Sequence, residues 1–308
     1  ERKNSIVSIG IHNNCTGCRV CEQLCPKKAI TIIKNNEGFI EPKIDEKKCV
    51  NCGICLKKCP QNNEIKRNEV IKCYAAKNNN KLELREGSSG SIFKIIADYI
   101  IENEGIVYGV TFNNDMEANT IRIEKKEDIW KLMGSKYVQS NTNTTYDLAK
   151  IDLDKGKNVL FTGTPCQIAG LKAYLNKEYD SLITIDLVCH GVPSQKLFKK
   201  YIKNIEEKNK SKVKEYYFRN KEKKGWGLNS KILFDNGKTR YVSANLDPYY
   251  KSFLEAKTYR EVCYNCKYAN TERVGDITLA DYWGIEREHP EFYNELGVSA
   301  ILVNTLFH

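Results

Sequence analysis

Cys15-Thr-Gly-Cys18-Arg-Val-Cys21-Glu-Gln-Leu-Cys25-Pro26 and Cys49-Val-Asn-Cys52-Gly-Ile-Cys55-Leu-Lys-Lys-Cys59-Pro60 share one spacing, C-x2-C-x2-C-x3-C-P. It is the spacing of thiolates that hold a pair of 4Fe-4S cubanes, with the fourth cysteine of each run serving the other cluster. One cluster is therefore expected on Cys15, Cys18, Cys21 and Cys59, and a second on Cys49, Cys52, Cys55 and Cys25. A cubane needs four thiolates on its corner irons, so three close cysteines wrap one side and a distant one closes the cage. Gly17 and Gly53 fall where the chain must turn tightly between ligands. Zinc pairs of the C-x2-C kind lack the third cysteine and the C-x3-C-P ending.

Cys166, Cys189 and the pair Cys263-Tyr-Asn-Cys266 form a second group. The first two stand where apolar strands meet loops, and loops at one sheet edge converge, so four thiolates here could hold a third cubane. Zinc or unrelated structural cysteines are the alternatives on the residues alone. Cys73 belongs to no motif and reads as a buried structural thiol. Ser88-Ser89-Gly90-Ser91 opens an apolar helical run, offering backbone N–H groups, hydroxyls and the positive end of a dipole to a phosphate. An ordinary N-cap has the same composition.

Placing these groups calls for two kinds of architecture. Residues 1–61 read as a bacterial-type two-cluster ferredoxin module, with strands at 29–33 and 38–42 covering the clusters, and the polar stretch 62–72 reads as a linker. From residue 73 to 308 the expected fold is a mixed-sheet α/β domain, so the chain as a whole is α+β followed by α/β. Strands are expected at 70–76, 106–112, 120–124, 158–164, 182–189, 276–280 and 299–304, with a hairpin around Asn236-Gly237. Helices are expected from Ile92 to a stop at Gly105, at 128–133, from Pro165 to Leu175, from about 195 to 208, and at 247–256. The repeated strand–turn–helix order puts the site at the carboxyl ends of the strands.

Thirteen cysteines, no apolar leader and no run long enough to span a bilayer imply a reducing, cytoplasmic setting. The formal charge of +10 counts cysteines as neutral. Each oxidised cubane on four thiolates adds roughly −2, and three clusters with a flavin dinucleotide bring the total to about +2. The lysines are spread along the chain and no nucleic-acid motif accompanies them, so a nucleic-acid partner is not expected.

Through REGSSGS at 85–91, MGSKYVQS at 133–140, FTGTPCQIAGL at 161–171, LVCHGVPS at 187–194 and CYNCKYA at 263–269, nearly the whole chain resembles the coenzyme F(420) hydrogenase/dehydrogenase beta subunit family. The form it resembles carries an N-terminal two-cluster ferredoxin. The resemblance implies FAD with a 4Fe-4S cluster beside it. Carried over by position, Ser88, Ser89, Gly90 and the loop of Gly134, Ser135, Lys136, Tyr137, Gln139 and Ser140 contact FAD, and Thr162, Gly163 and Thr164 lie close to it. Cys166, Cys189, Cys263 and Cys266 ligate the neighbouring cluster. Family members usually continue well past the strand at 300–304, so by the resemblance this chain is either truncated or lacks the C-terminal part.

The expected function is an iron–sulfur flavoprotein oxidoreductase joining a hydride carrier, a deazaflavin coenzyme or a small organic substrate, to clusters and a ferredoxin or other redox protein. Flavin is the needed converter, because cubanes move one electron and hydride chemistry moves two. Lys136 is the candidate for stabilising negative charge on reduced flavin and His190 for proton delivery, with structural roles as the alternative for each. The rival class is a non-catalytic electron-transfer subunit that docks a larger oxidoreductase.

Overall fold

The computed structural model describes residues 14–306. In chain order its elements are α1 (Val20–Gln23), β1 (Ile30–Lys34), β2 (Ile40–Ile44), α2 (Ile54–Lys57), β3 (Lys72–Ala76), α3 (Lys81–Glu86) and α4 (Ile92–Glu102). Next come β4 (Ile106–Phe112), β5 (Ala118–Ile123), α5 (Ile129–Leu132), α6 (Thr145–Asp154), β6 (Val159–Thr162), α7 (Pro165–Leu175), β7 (Leu182–Leu187) and α8 (Gln195–Asn209). The chain closes with β8 (Val213–Tyr217), β9 (Asn229–Phe234), β10 (Thr239–Ser243), α9 (Pro248–Leu254), β11 (Ile277–Asp281), α10 (Ile285–Glu288) and β12 (Ser299–Val303).

Seven strands form the main sheet in the order β3-β12-β11-β7-β6-β4-β5. β4, β6, β7 and β11 run parallel at its centre, with antiparallel β5 on one flank and β12 and β3 on the other. Both faces are covered, which is why β4 and β6 are nearly continuous apolar runs, while β7 and β11 carry the buried polar residues Thr184, Asp186 and Thr278. Val107, Leu160 and Ile185 point to a core shared with Ala97 and Ile100 of α4 and Ile129 of α5. Ile106, Tyr108, Val159 and Phe161 point the other way, to Tyr146, Ala149 and Leu153 of α6 and Ile168 and Leu171 of α7. A second sheet, β10-β9-β8, packs with α8 and α9 around Phe198, Tyr216, Phe218, Tyr249, Tyr250 and Phe253. Among the described residues, no helix is long and apolar enough to cross a membrane.

Asp186, fully buried on β7, accepts from Arg273 Nη2 at 3.1 Å and from the Gly275 N–H at 3.0 Å, while Arg273 also donates to Leu187 O at 2.8 Å. This pair fixes the end of β7 just before Cys189. Arg273→Met should destabilise the protein by about 3–5 kcal/mol, because it strands a buried carboxylate. The readout is the urea midpoint, and an unchanged midpoint would mean that the neutral donors carry Asp186 alone.

The ferredoxin module differs most from expectation. Its two expected strands are present and pair as the antiparallel hairpin β1–β2, but the module is not a separate body on a polar tether. Cys18 and Val20 belong to the buried core on the α6/α7 face of the main sheet. Tyr146 N donates to Gln23 Oε1, Thr142 Oγ1 to Cys18 O, and Arg260 to both Cys15 O and Ile40 O. The stretch at 62–72 is itself anchored: Asn68 pairs with Arg273, and Ile71 N donates to Val303 O. Cys73 is exposed rather than buried, since β3 is the edge strand and pairs only with β12. α4 ends at Glu102, where Asn103 and left-handed Glu104 (φ 56°) make the turn before Gly105 is reached.

Candidate functional site

Two hollows in the module sort its eight motif cysteines. One is lined by Cys15, Cys18, Cys21 and Cys59 with Ile32 and Pro42, the other by Cys25, Cys49, Cys52 and Cys55 with Ala29, Ile30 and Ile44. The crossing of Cys25 and Cys59 between hollows follows from the pseudo-repeat: α1 and α2 lie against each other, so each run's last cysteine reaches its neighbour's side. Burial, with nearby thiols adding to it, pushes Cys18 up to about 12 and Cys21 well above the ordinary thiol range. Four thiols massed in an apolar hollow are costly to ionise alone, and a cationic iron–sulfur core is the kind of group such a donor set fits. Either hollow would hold its cluster through these four residues.

The inward hollow abuts α7. A Cβ at Gly170 would stand 3.3 Å from Cys18 Sγ, 3.0 Å from its Cβ and 2.8 Å from Tyr146 Oη, so only glycine admits this approach. Cys166 lies one turn earlier on the same helix, whose start is fixed by Pro165 and a capping box between Thr164 and Gln167. Burial raises the Cys166 thiol strongly, the Thr164 hydroxyl at 3.2 Å draws it back, and Cys189, Cys263 and Cys18 sit close enough to raise it further. Cys189, pushed up to about 12 mainly by burial, likewise feels Cys263 and Cys266. The loops after β6 and β7 and the 3-10 turn Glu261–Asn265 thus bring the second cysteine group together beside the first hollow. Tyr268, 4% exposed, is close to both groups: burial first, then Cys166, Cys18, Cys59 and Cys266, push its hydroxyl well above the ordinary tyrosine range.

The Ser88–Ser91 loop and the Gly134–Ser140 loop also meet. Ser88 Oγ lies 2.9 Å from Ser135 Oγ and accepts from Ser135 N at 3.0 Å. Gly90 is pressed on the backbone, where a Cβ would come within 2.2 Å of Ala76 O. Two of the loop's N–H groups are already used, Gly90 N by Ser299 Oγ and Ser91 N by Ser88 O. Ser89 Oγ donates to Asp281, at the carboxyl end of β11. Asp281 also takes a two-pronged bond from Arg219 (2.6 and 2.8 Å) and one from Trp226 Nε1 (2.8 Å). Burial opposes its charge, but the Arg219 bonds hold its carboxyl below the usual range. Lys221, 3% exposed, donates to Leu84 O and Ser89 O at 2.7 and 2.6 Å; burial, then the Arg219 charge, lower its amine to about 7. Trp226 stacks on the half-exposed Trp283 with centroids 4.5 Å apart.

The remaining expected residues divide between this place and others. Lys136 donates to Lys131 O, Met133 O and Gly134 O, and desolvation takes its amine down to about 7. The Tyr137 hydroxyl accepts from Arg219 and its ring stacks on Phe253. Gly134 is exposed, with φ 78°. Gln139 faces the ferredoxin module, accepting from Ile40 N and donating to Thr16 O. Ser140 takes a bond from Gln167, Thr162 donates to Tyr108 O, and Gly163 N donates to Ile185 O, so these residues tie α7 to the strand ends. His190 is exposed, edge-on to Phe253 and Tyr259, on the side of Cys189. Arg219, Lys221, Trp226, Asp281 and Trp283 were not foreseen. The signal for two of them was legible in Leu279-Ala-Asp281-Tyr-Trp283, a carboxylate and an indole where a parallel strand ends.

Residues 156–306 match the family model for the C-terminal part of the beta subunit of coenzyme F420 hydrogenase/dehydrogenase, and residues 14–63 match the model of a 4Fe-4S dicluster domain. The chain is similar to the coenzyme F420-dependent sulfite reductase of Methanocaldococcus jannaschii, 27% identical over 198 residues, which are 62% of this chain and 29% of that one. It is also similar to a subunit of the F(420)H(2) dehydrogenase of Methanosarcina mazei, 23% identical over 193 residues, 58% of this chain and 54% of that one. It therefore spans less than two thirds of either relative. Among solved structures, a chain of the F420-reducing NiFe hydrogenase complex from Methanosarcina barkeri superposes with a TM-score of 0.49 and 18% identity, covering 78% of this chain and 76% of that one.

Proposed function

Because residues 156–306 match the C-terminal model of the coenzyme F420 hydrogenase/dehydrogenase beta subunit family and residues 14–63 a 4Fe-4S dicluster domain, we propose that the chain is an FAD-dependent iron–sulfur oxidoreductase of that family, exchanging electrons between a hydride carrier and a ferredoxin-type partner. A deazaflavin coenzyme is the favoured carrier, as in the names of both curated relatives. When bound, FAD supplies the conversion between two-electron hydride transfer and one-electron steps, and the cubanes supply the latter.

The observation that carries this reading is the charge around Ser88, Ser89 and Ser135. Arg219 and Lys221 are both buried there, and Asp281 is the one carboxylate bonded to Ser89 among the described residues. A second buried cation beside hydroxyls and a left-handed loop (Ser89 φ 48°) suits an anion such as a flavin diphosphate. Ser135, Lys136 and Tyr137 would hold the cofactor on one side, and Ser88, Ser89 and Gly90 on the other. Cys166, Cys189, Cys263 and Cys266 would hold a third cluster. Lys136, with a carbonyl-bound amine poised near neutrality, would stabilise negative charge, and exposed His190 would exchange protons with solvent.

The test is anaerobic reconstitution with iron, sulfide and FAD. Iron near twelve per chain and flavin released on denaturation as FAD are the expected results, from three cubanes and one dinucleotide. Iron near eight would remove the third site, and no retained flavin would remove the enzyme reading. The self-bonded N–H groups of Gly90 and Ser91 favour the rival, an electron carrier docking a larger oxidoreductase. Turnover of a reduced deazaflavin by the isolated chain decides against it.

A further inference from the structure

The two hollows of the ferredoxin module differ in exposure. Cys18, Cys21 and Cys59 of the first are buried, and its rim is closed by α7, Tyr268 and Arg260. In the second, Cys52 is exposed and Val50 beside it is 58% exposed, with Pro26 and Asn51 also at the surface. Five exposed lysines lie on the segments that form that opening. Lys27 lines it, Lys28 follows, Lys47 and Lys48 lead directly into Cys49, and Lys57 stands on α2 two residues past Cys55. The carboxylates on the same segments are fewer: Asp45 spends itself on Lys48 at 3.5 Å, and Glu46 is exposed. Among the described residues, Lys27, Lys28, Lys47 and Lys57 have no salt-bridge partner.

An apolar centre ringed by mobile cations is the plan of a transient docking surface: the centre desolvates, and the ring steers and orients. A ring meant only to neutralise a cluster would sit against the sulfurs, whereas these ammonium groups extend into solvent. We propose that this lysine-ringed opening, centred on Val50 and Cys52, docks an acidic one-electron carrier protein, and that electrons cross the protein surface here. The step is a single-electron exchange between one cubane and the partner's redox centre, one oxidised as the other is reduced, with no bond made or broken. It rests on the reading of the Cys25, Cys49, Cys52 and Cys55 hollow as a cluster site.

The test uses the reconstituted chain and a small acidic 4Fe-4S ferredoxin as the probe. Binding is measured by titration at low and moderate ionic strength, and electron transfer by stopped-flow. For K28E/K47E/K57E, a Kd at least tenfold weaker than wild type is expected at low salt, with the difference shrinking as salt is added. Reduction of a small uncharged quinone, which feels no charge on the opening, should change little. A reversal of equal size at the C-terminal end of α8 and its cap, K203E/K208E/K210E, should leave ferredoxin binding at the wild-type level. Equal binding by the K28E/K47E/K57E variant and wild type, or a loss of the same size in the α8 variant, overturns the assignment. Failure of the underlying reading looks different: Cys49→Ser/Cys52→Ser then leaves the iron content at the wild-type level, before any partner is added.

Discussion

Cys166→Ala, in protein that keeps its FAD, is expected to leave flavin reduction by a hydride donor near the wild-type rate while slowing reduction of the N-terminal clusters by orders of magnitude. The reason is the shared helix: Cys166 opens α7, and Cys18 touches the same helix one turn later, at Gly170. On the proposed reading Cys166 is a ligand of the third cluster, so removing it would break the short route between the strand ends and the inward hollow. Stopped-flow spectra follow the flavin and cluster bands separately, and iron analysis should show one cluster's loss. Unchanged cluster reduction, with the N-terminal clusters assembled, would reject the route. Gly170→Val offers an independent check, since its side chain must displace Cys18 or Tyr146 while every ligand remains in the sequence.

The second large effect is on flavin affinity and pH. Burial and Arg219 hold the free Lys221 amine near 7, against an ordinary 10.5. An anion beside Ser89 favours the ammonium, so binding above pH 7 must take up a proton. Affinity for FAD should be flat below pH 7 and fall about tenfold per pH unit above it, until the raised pKa of the complex is reached. Lys221→Met should weaken binding at pH 6 and flatten the slope, and a pH profile unchanged in that variant would assign the slope elsewhere. Lys136, also near 7, is the first place to look. Stability of the flavin-free chain carries the opposite sign. The unfolded state binds more protons between 7 and 10.5, so the burden of Lys221 is fully present below 7 and fades as pH rises to 10.5.

What was legible beforehand was local. Ligand spacing within a dozen residues identified the two cysteine runs, and strand-then-helix periodicity located β4, β6, α7, β7, α8, the β9–β10 hairpin and β12 to within a few residues. α6 was missed because Asp147, Lys150, Asp152 and Asp154 mask a buried row of Tyr146, Ala149 and Leu153. β8 was missed because Val-Lys-Glu-Tyr-Tyr buries only Val213 and Tyr216. Docking of the ferredoxin module was not legible at all. Its bonds join residues more than a hundred positions apart, such as Thr142 with Cys18 and Arg260 with Cys15, and no one segment announces such a pairing. The same holds for Asp281, whose partners Ser89, Arg219 and Trp226 come from three distant stretches.

The burial of Cys18 and Val20 against the main sheet has a consequence for how the protein matures. A cluster in the inward hollow would be an internal part, enclosed by α7, Tyr268 and Arg260 once the chain has closed. Delivery of iron and sulfide must then precede or accompany closure, and the metal's binding free energy becomes folding free energy for both units together. A chelator or oxidant that removes the inward cluster should expose Phe161, Ile168 and Leu171 to solvent as well, and the chain should lose its α6/α7 face along with its iron. Repair would require partial unfolding, so the lifetime of the working protein would be set by the rate at which that face opens.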